Sequence, residues 1–328
     1  LFLLCTDLHL DDNRANEYRW RVFDELGRTC QSYPVSCVYC LGDMTDKKAI
    51  GPKTTLLSAE LVNRVVRSWM SLPHAVILRG NHDTMIDGGS FWEFLSQVPG
   101  MTYVTRPTSM HGNLMLLPFS PNPRVEWRGL PWRDYRCAFL HATRSGTIAE
   151  TGFALPGQDL PPIPRSVKVY SGDVHTQQVV DNWTYVGASH HVKFGDKYPC
   201  RFLLLDECTY DVVEEIPIET ISKRVVEIGS LDDLRFAETR PGDQVKFRAV
   251  LPPGEIDWGA LEAAVEKFAR ERGVEVASIE GSYDLPAQSG PPSAEMPPED
   301  LLRAFAREEG VAGELLDVGL ELLREVRG

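Results

Sequence analysis

The sequence predicts a mixed α/β fold: a two-sheet β-sandwich flanked by helices, then a small α+β unit, then C-terminal helices. Three observations predict it. Short apolar runs alternate with segments of helical spacing up to residue 83, the pattern of a parallel or mixed sheet covered by helices. From Met101 onward shorter apolar runs follow, broken by Gly and Pro, and the later ones suggest a second sheet. Residues able to ligate a metal recur just past these runs, and in such sheets ligands collect at the C-terminal strand ends.

Taken in order, Leu1 to Thr6 reads as a buried strand, with Asp7-Leu8-His9 at its end. In an extended strand Asp7 and His9 face the same way, so a carboxylate and an imidazole can grip one ion. A lone triplet of this kind is equally an ordinary surface pair. Asn16 to Cys30 has helical spacing, with Tyr18, Val22 and Leu26 on one stripe. Val35 to Leu41 is the next strand, followed by Gly42-Asp43-Met44-Thr45-Asp46. Leu57, Leu61, Val65 and Trp69 mark a second amphipathic helix. His74 to Ile77 is a third strand and leads into Leu78-Arg79-Gly80-Asn81-His82-Asp83. Gly80 is expected to allow a sharp turn, and Asp83 to hold the imidazole of His82.

Arg136 to Leu140 is a strand ending in His141, and Val167 to Ser171 one ending in Gly172-Asp173-Val174-His175. Asp173 and His175 repeat the spacing of Asp7 and His9. Four of the eight histidines sit at such ends, which turns several weak signals into one strong one. Val179 to Val186, Val192 to Phe194 and Arg201 to Asp206 read as further strands, assigned to the second sheet.

The chemistry thins beyond Arg224. Gln244 to Leu251 is a strand, Asp257 to Arg272 a helix stopped by Gly273, and Val274 to Ile279 a strand. The predicted division is 1–222, a main domain; 223–283, an α+β unit; 284–298, a linker rich in Pro, Gly and Ser; and 299–328, C-terminal helices. Those helices are Pro298 to Glu309 and Ala312 to Val326, the second with apolar rows that either fold back or dock on another protein.

Composition sets outer bounds. At 43% apolar and 25% charged residues, the 328-residue chain is ordinary for a globular protein. A formal net charge of −13 excludes a protein that coats nucleic acid by charge alone, though not a local basic groove. No apolar run reaches transmembrane length, so no membrane association is expected. The opening run is too short for a signal peptide, and the native start is expected a residue or two upstream. Seven cysteines, several inside apolar runs, point to free thiols and a reducing cytoplasm. Cys37 and Cys40 lie in a strand at odd spacing, which sends them to opposite faces and argues against a shared metal.

The strand-end residues Asp7, His9, Asp43, Asn81, His141, Asp173 and His175 offer oxygen and nitrogen but no thiol. Such a set suits Mn²⁺, with Mg²⁺ or Fe²⁺ as other options. It is too large for one ion and suits two, with Asp43 bridging. His82 is then spare, able to protonate a leaving group or to steady phosphorane charge.

The ordered set Asp7-x-His9, Gly42-Asp43-x-x-Asp46, Gly80-Asn81-His82-Asp83, His141 and Gly172-Asp173-x-His175 resembles the calcineurin-like metallophosphoesterase superfamily. The resemblance implies that Asp7, His9 and His175 serve one ion, that Asn81, His141 and Asp173 serve the other, and that the fold is the metallophosphoesterase fold. Asp173 departs from the histidine usual there and adds negative charge. The close, Tyr185 to Ser189, Val192 to Asp196 and Arg201 to Asp206, is similar to that of SbcD-type DNA-repair nucleases. This implies a Mn²⁺-dependent exonuclease and endonuclease acting on DNA in repair or recombination. It also implies a DNA-capping α+β domain and C-terminal helices that bind an SbcC-type ATPase; a homodimer is a further expectation. Lys47, Lys48, Arg79, Arg144 and Lys193 are candidates to meet the phosphate backbone. The alternatives are a stand-alone phosphodiesterase or phosphatase on small nucleotides, and a non-catalytic scaffold. His74, His111, His190 and His191 stay unassigned.

Overall fold

The structure is a computed structural model that describes residues 1–46, 57–85, 88–150, 152–251, 257–283, 299, 302–303, 306 and 313–327. Its strands, in chain order, are β1 (Phe2–Cys5), β2 (Cys37–Cys40), β3 (Ala75–Leu78), β4 (Met101–Val104), β5 (Thr108–Met110), β6 (Leu114–Leu117), β7 (Cys137–His141), β8 (Lys168–Gly172), β9 (Gln178–Val180), β10 (Trp183–Tyr185), β11 (Arg201–Leu205), β12 (Val212–Pro217), β13 (Lys223–Ile228), β14 (Gln244–Leu251) and β15 (Glu275–Tyr283). They form one six-stranded sheet in the order β12-β11-β1-β2-β3-β4 and another in the order β5-β6-β7-β8-β10-β9. β1 to β4 pair in parallel, as do β6, β7 and β8.

Side-chain alternation builds three apolar layers. In β1, Leu3 and Cys5 face the helices while Phe2 and Leu4 face the other sheet. In β2, Val38 and Cys40 point one way, Cys37 and Tyr39 the other. From the second sheet, Leu114, Leu116 and Phe139 enter the shared middle layer. Met115, Leu117 and Leu140 enter the outer layer with Trp127. Strands buried on both faces need continuous apolar runs, which is what the sequence carries at each of these positions. Burying one such side chain contributes about 1.5–3 kcal/mol. Cys37 and Cys40 part to opposite faces as expected, and all seven cysteines are free.

The outer face of the first sheet is covered by α1 (Val22–Ser32) and α2 (Ala59–Met70), through Leu26, Leu61, Val65 and Trp69. Ser58 caps α2 by accepting from Leu61 N at 3.1 Å. The single helix expected over Asn16 to Cys30 is instead a 3₁₀ segment, Arg14–Arg21, followed by α1. Local bonds back to Asp11 hold this segment: Asn16 Nδ2 donates to Asp11 Oδ2 at 2.6 Å, and Trp20 Nε1 to Asp11 O at 3.1 Å.

Three strand expectations are corrected. Arg201 to Asp206 belongs to the first sheet, where β11 lies antiparallel beside β1. Phe202 and Leu204 join the helix layer while Leu203 and Leu205 join the middle layer, so the strand needs cover on both faces. Val179 to Val186 is broken at Asp181, whose φ of 55° turns β9 back on β10. Val192 to Phe194 forms no strand, because Asp196 Oδ2 accepts from Val192 N at 2.9 Å and Lys193 N at 2.7 Å and curls the chain into a turn.

The three-stranded sheet runs β13-β14-β15, with β13 parallel to β14. Its helix, Trp258–Arg272, is capped by Asp257 and stopped by Gly273 at φ 65°. The chain divides into two compact units, Leu1–Ala249 with Asp257–Glu280, and Val250–Ile256 with Gly281–Gly328. Residues 284–298 and most of the predicted helix at 298–309 lie outside the described residues. The last helix is Gly313–Arg327. Among the described residues no helix is long and apolar enough to cross a membrane.

Candidate metal centre

The loops after β1 and β2 are zipped together. Asp7 N donates to Gly42 O at 3.1 Å, His9 N to Asp43 O at 2.9 Å, and Leu10 N to Met44 O at 3.0 Å. Asp7, His9, Asp43 and Asp173 have φ of 53°, 43°, 52° and 75°. This left-handed conformation costs on the order of 1–3 kcal/mol per residue and persists only where the surroundings impose it. It corrects the expected same-face geometry: β1 ends at Cys5 and β8 at Gly172, so turns aim these side chains, not strand alternation. Asp173 and His175 accordingly part company. Asp173 Oδ1 lies 3.6 Å from His141 Nε2, whereas His175 Nε2 lies 3.2 Å from His9 Nε2.

Gly80 serves a purpose other than the expected turn. A Cβ there would sit 2.1 Å from both Asp43 N and Asp43 Oδ1. At Gly172 it would sit 2.2 Å from Thr6 Oγ1. These glycines let neighbouring strand ends touch, and so bring their side chains within reach of one another.

All seven candidate ligands meet in one connected cluster. Asp7, His9 and His175 offer donor atoms that lie within 4.8 Å of one another, and so do Asp7, Asp43 and His141. His9 Nε2 is 3.8 Å from Asp43 Oδ2, and His141 Nε2 is 3.4 Å from Asp43 Oδ1. Asn81 Oδ1 stands 3.0 Å from His141 Nε2.

The donor set fits divalent cations. Asp7 Oδ1 is buried without a hydrogen-bond partner, and the fully buried Asp7 and Asp43 carboxylates repel each other. The Asn81 amide oxygen faces acceptors; turned about, its NH₂ would donate to both Asp43 oxygens at 3.0 and 2.9 Å. Acceptors converge on acceptors here, an arrangement that a cation between them resolves.

The titration of the cluster follows from the same crowding. Burial pushes the Asp7 carboxyl up, against its histidine neighbours. Burial also opposes ionisation of Asp43, yet His141, His9 and His82 outweigh it and hold Asp43 well below the usual carboxylate range. Burial disfavours the His141 imidazolium, but Asp43, Asp173 and Asp7 together hold its pKa well above 6.5.

Folded His141 binds its proton more tightly than the unfolded chain, so that contribution is present below about pH 6.5 and is lost as pH rises through the folded value. Asp43 works in reverse: its contribution is present above about pH 3.9 and is lost as pH falls through its depressed value. Metal-free protein should therefore weaken on the alkaline side, where neutral imidazoles bind cations best. The gap in Tm between Mn²⁺-loaded and chelator-treated protein should widen from about pH 6 to about pH 9. Scanning calorimetry across that range checks this, and a constant gap would contradict it.

His82 lies at the mouth, its side chain 21% exposed and its ring 4.6 Å from that of His9. Its backbone N–H donates to Asp43 Oδ1 at 2.8 Å. The expected role of Asp83 is corrected. Its carboxylate accepts from Gly80 N, Met44 N, Thr45 N and Thr45 Oγ1, and thereby ties the second and third loops together. Asp46 stands beside the imidazole instead, its Oδ1 3.4 Å from His82 Nδ1 and also 3.4 Å from His9 Nδ1. Asp46 also pairs with buried Arg19 at 3.3 Å. Burial opposes its ionisation, but His82, His9 and Arg19 hold its carboxyl far below the usual range.

The basic candidates fare unevenly. Arg79 is buried and donates to Gly88 O and Phe119 O, so it braces loops and cannot meet a phosphate. Arg144 is already paired with Asp181 at 2.6 Å. Lys193 is exposed, its Nζ 3.8 Å from Glu150 Oε1. Lys47 and Lys48 lie outside the described residues.

Sequence reasoning missed Arg19 and Glu150, and it left Asp46 without a role. Glu150 Oε1 lies 3.1 Å from His175 Nδ1, and His175 with the neighbouring Lys193 draws its carboxyl down to about 2 against the effect of burial. Asp46 had a signal in its fixed spacing from Asp43; Arg19 and Glu150 had none. His190 and His191, unassigned from sequence, are buried; His190 packs edge-on against Tyr18, and His191 Nε2 lies 2.9 Å from Tyr198 O.

A comparison with curated proteins found no match. The family model for calcineurin-like phosphoesterases matches residues 1–277, the span that carries both six-stranded sheets and every cluster residue. The chain thus belongs to the calcineurin-like phosphoesterases, metal-dependent hydrolases of phosphoesters.

Proposed function

We propose that this phosphoesterase is a DNA nuclease of SbcD type, cleaving phosphodiesters at a centre of two divalent cations, Mn²⁺ first among them. The observation that carries the reading is the pair of overlapping donor groups, Asp7-His9-His175 and Asp7-Asp43-His141, with His82 at their mouth. Asp7, His9 and His175 would hold one cation, and Asn81, His141 and Asp173 the other, with Asp43 between them. Bound there, two cations would neutralise phosphate charge and acidify water.

The chain's own residues supply the rest. Asp43 keeps its charge at any working pH and holds the backbone of His82 in place. His82 reaches outward to meet the leaving oxygen, where it donates a proton or hydrogen bond. Asp46 keeps that imidazole oriented, its Oδ1 3.4 Å from His82 Nδ1.

DNA as substrate is supported by the turn series from Tyr185 to Asp206 and by the α+β unit that follows. Among the described basic candidates, Lys193 has the most exposed side chain. An SbcC-type ATPase partner, a homodimer and a cytoplasmic setting go with this proposal. The test is digestion of 5′- and 3′-labelled linear duplexes beside a chromogenic phosphodiester, each with Mn²⁺ and with a chelator. Expected is Mn²⁺-dependent shortening of the duplex. Cleavage of the small ester alone would favour a nucleotide phosphodiesterase, and no cleavage of either a scaffold.

A further inference from the structure

Glu150 sits beside the tip of a hairpin whose described arms are residues 146–150 and 152–155. Its rungs join Gly146 N to Leu155 O at 3.2 Å, Leu155 N to Thr147 O at 2.7 Å, and Ala149 N to Phe153 O at 2.8 Å. Gln178 anchors it to β9 from both sides: Ile148 N donates to Gln178 Oε1, and Gln178 Nε2 to Ile148 O, each at 2.8 Å. The hairpin is thus held independently of its tip.

Beside the tip, one carboxylate oxygen lies 3.1 Å from His175 Nδ1. The contact is close but lies off the line of the ring N–H, and His175 Nδ1 is buried with no other hydrogen-bond partner. On its other edge, His175 Nε2 faces His9 and Asp7. An imidazole that ligates through Nε2 must carry its proton on Nδ1, and a carboxylate at that N–H fixes both tautomer and ring angle.

We propose that Glu150 is the positioning residue of His175, holding the ring with its proton on Nδ1 and its Nε2 lone pair turned toward Asp7 and His9. It thereby sets the cation affinity of that half of the centre. This rests on the metal-centre reading, which the wild-type protein tests first: a chain that binds no Mn²⁺ removes that reading before any variant is compared.

The experiment is calorimetric titration of the full chain with Mn²⁺. Glu150→Ala should bind about 10- to 100-fold more weakly at one of two sites. Glu150→Gln keeps an acceptor oxygen without the charge and should fall between, about 3- to 10-fold weaker than wild type. Phe153→Ala removes a side chain that is 76% exposed on the same hairpin and should bind as wild type. Wild-type affinity in Glu150→Ala overturns the proposal. So does an equal loss in Phe153→Ala, since hairpin integrity would then be the cause. Should Glu150→Ala fail to fold, Glu150→Gln decides, and wild-type affinity there overturns the proposal too.

Discussion

Asp43→Asn should lower the rate of phosphoester cleavage by about a thousandfold while the protein stays folded. The side chain is buried and lies 3.8 Å from His9, 3.9 Å from His82 and 3.4 Å from His141. Asparagine keeps the shape, and its oxygen can still accept from His82 N, so the loop should hold. What is lost is the charge. Losing one fixed electrostatic group at a reacting centre costs about 3–4 kcal/mol of transition-state stabilisation. At about 1.4 kcal/mol per factor of ten, that corresponds to about two to three decades in rate. Steady-state kinetics with Mn²⁺, together with circular dichroism, checks it. A variant within about tenfold of wild type would mean that Asp43 does not hold the centre together.

His82→Ala should separate chemistry from metal binding. The ring is the outermost of the cluster imidazoles, and the bond from residue 82 to Asp43 comes from the backbone, which alanine retains. Mn²⁺ affinity should therefore stay near wild type, whereas kcat falls by about 10²–10⁴, the range for losing a positioned acid. Asp46→Asn should give a smaller loss in the same sense, since it removes the carboxylate 3.4 Å from the ring. Titration calorimetry and single-turnover kinetics on one preparation decide the matter. A parallel loss of Mn²⁺ binding and rate would show His82 to be a ligand, which the group His9-Asp43-His82 makes a real alternative.

Much of the architecture was legible in the sequence because strands buried on both faces leave an unbroken apolar signature. β1, β2, β3 and β7 announce themselves this way; His141 ends β7, and Asp7, Asp43 and Asn81 lie within three residues past the other three. β12 did not, since Val212–Pro217 is largely exposed and exists as a strand only through its pairing with β11. The sheet that β11 joins was equally hidden, because Arg201–Leu205 carries the same apolar run whichever sheet takes it.

On its own, the amino-acid order determined which side chains could serve a metal centre, because ligand chemistry belongs to residue type and the motifs keep their spacing along the chain. Folding decided how those side chains meet. Left-handed turns at Asp7, His9, Asp43 and Asp173 aim them, and Gly80 gives Asp43 room to approach. Folding also redistributed the supporting parts: Asp83 went to loop bracing, Asp46 to His82, Arg79 to the interior, and Glu150 to His175. The physical reason is that a local pattern records what a residue can offer, whereas its partner is set by distances between segments far apart in the chain.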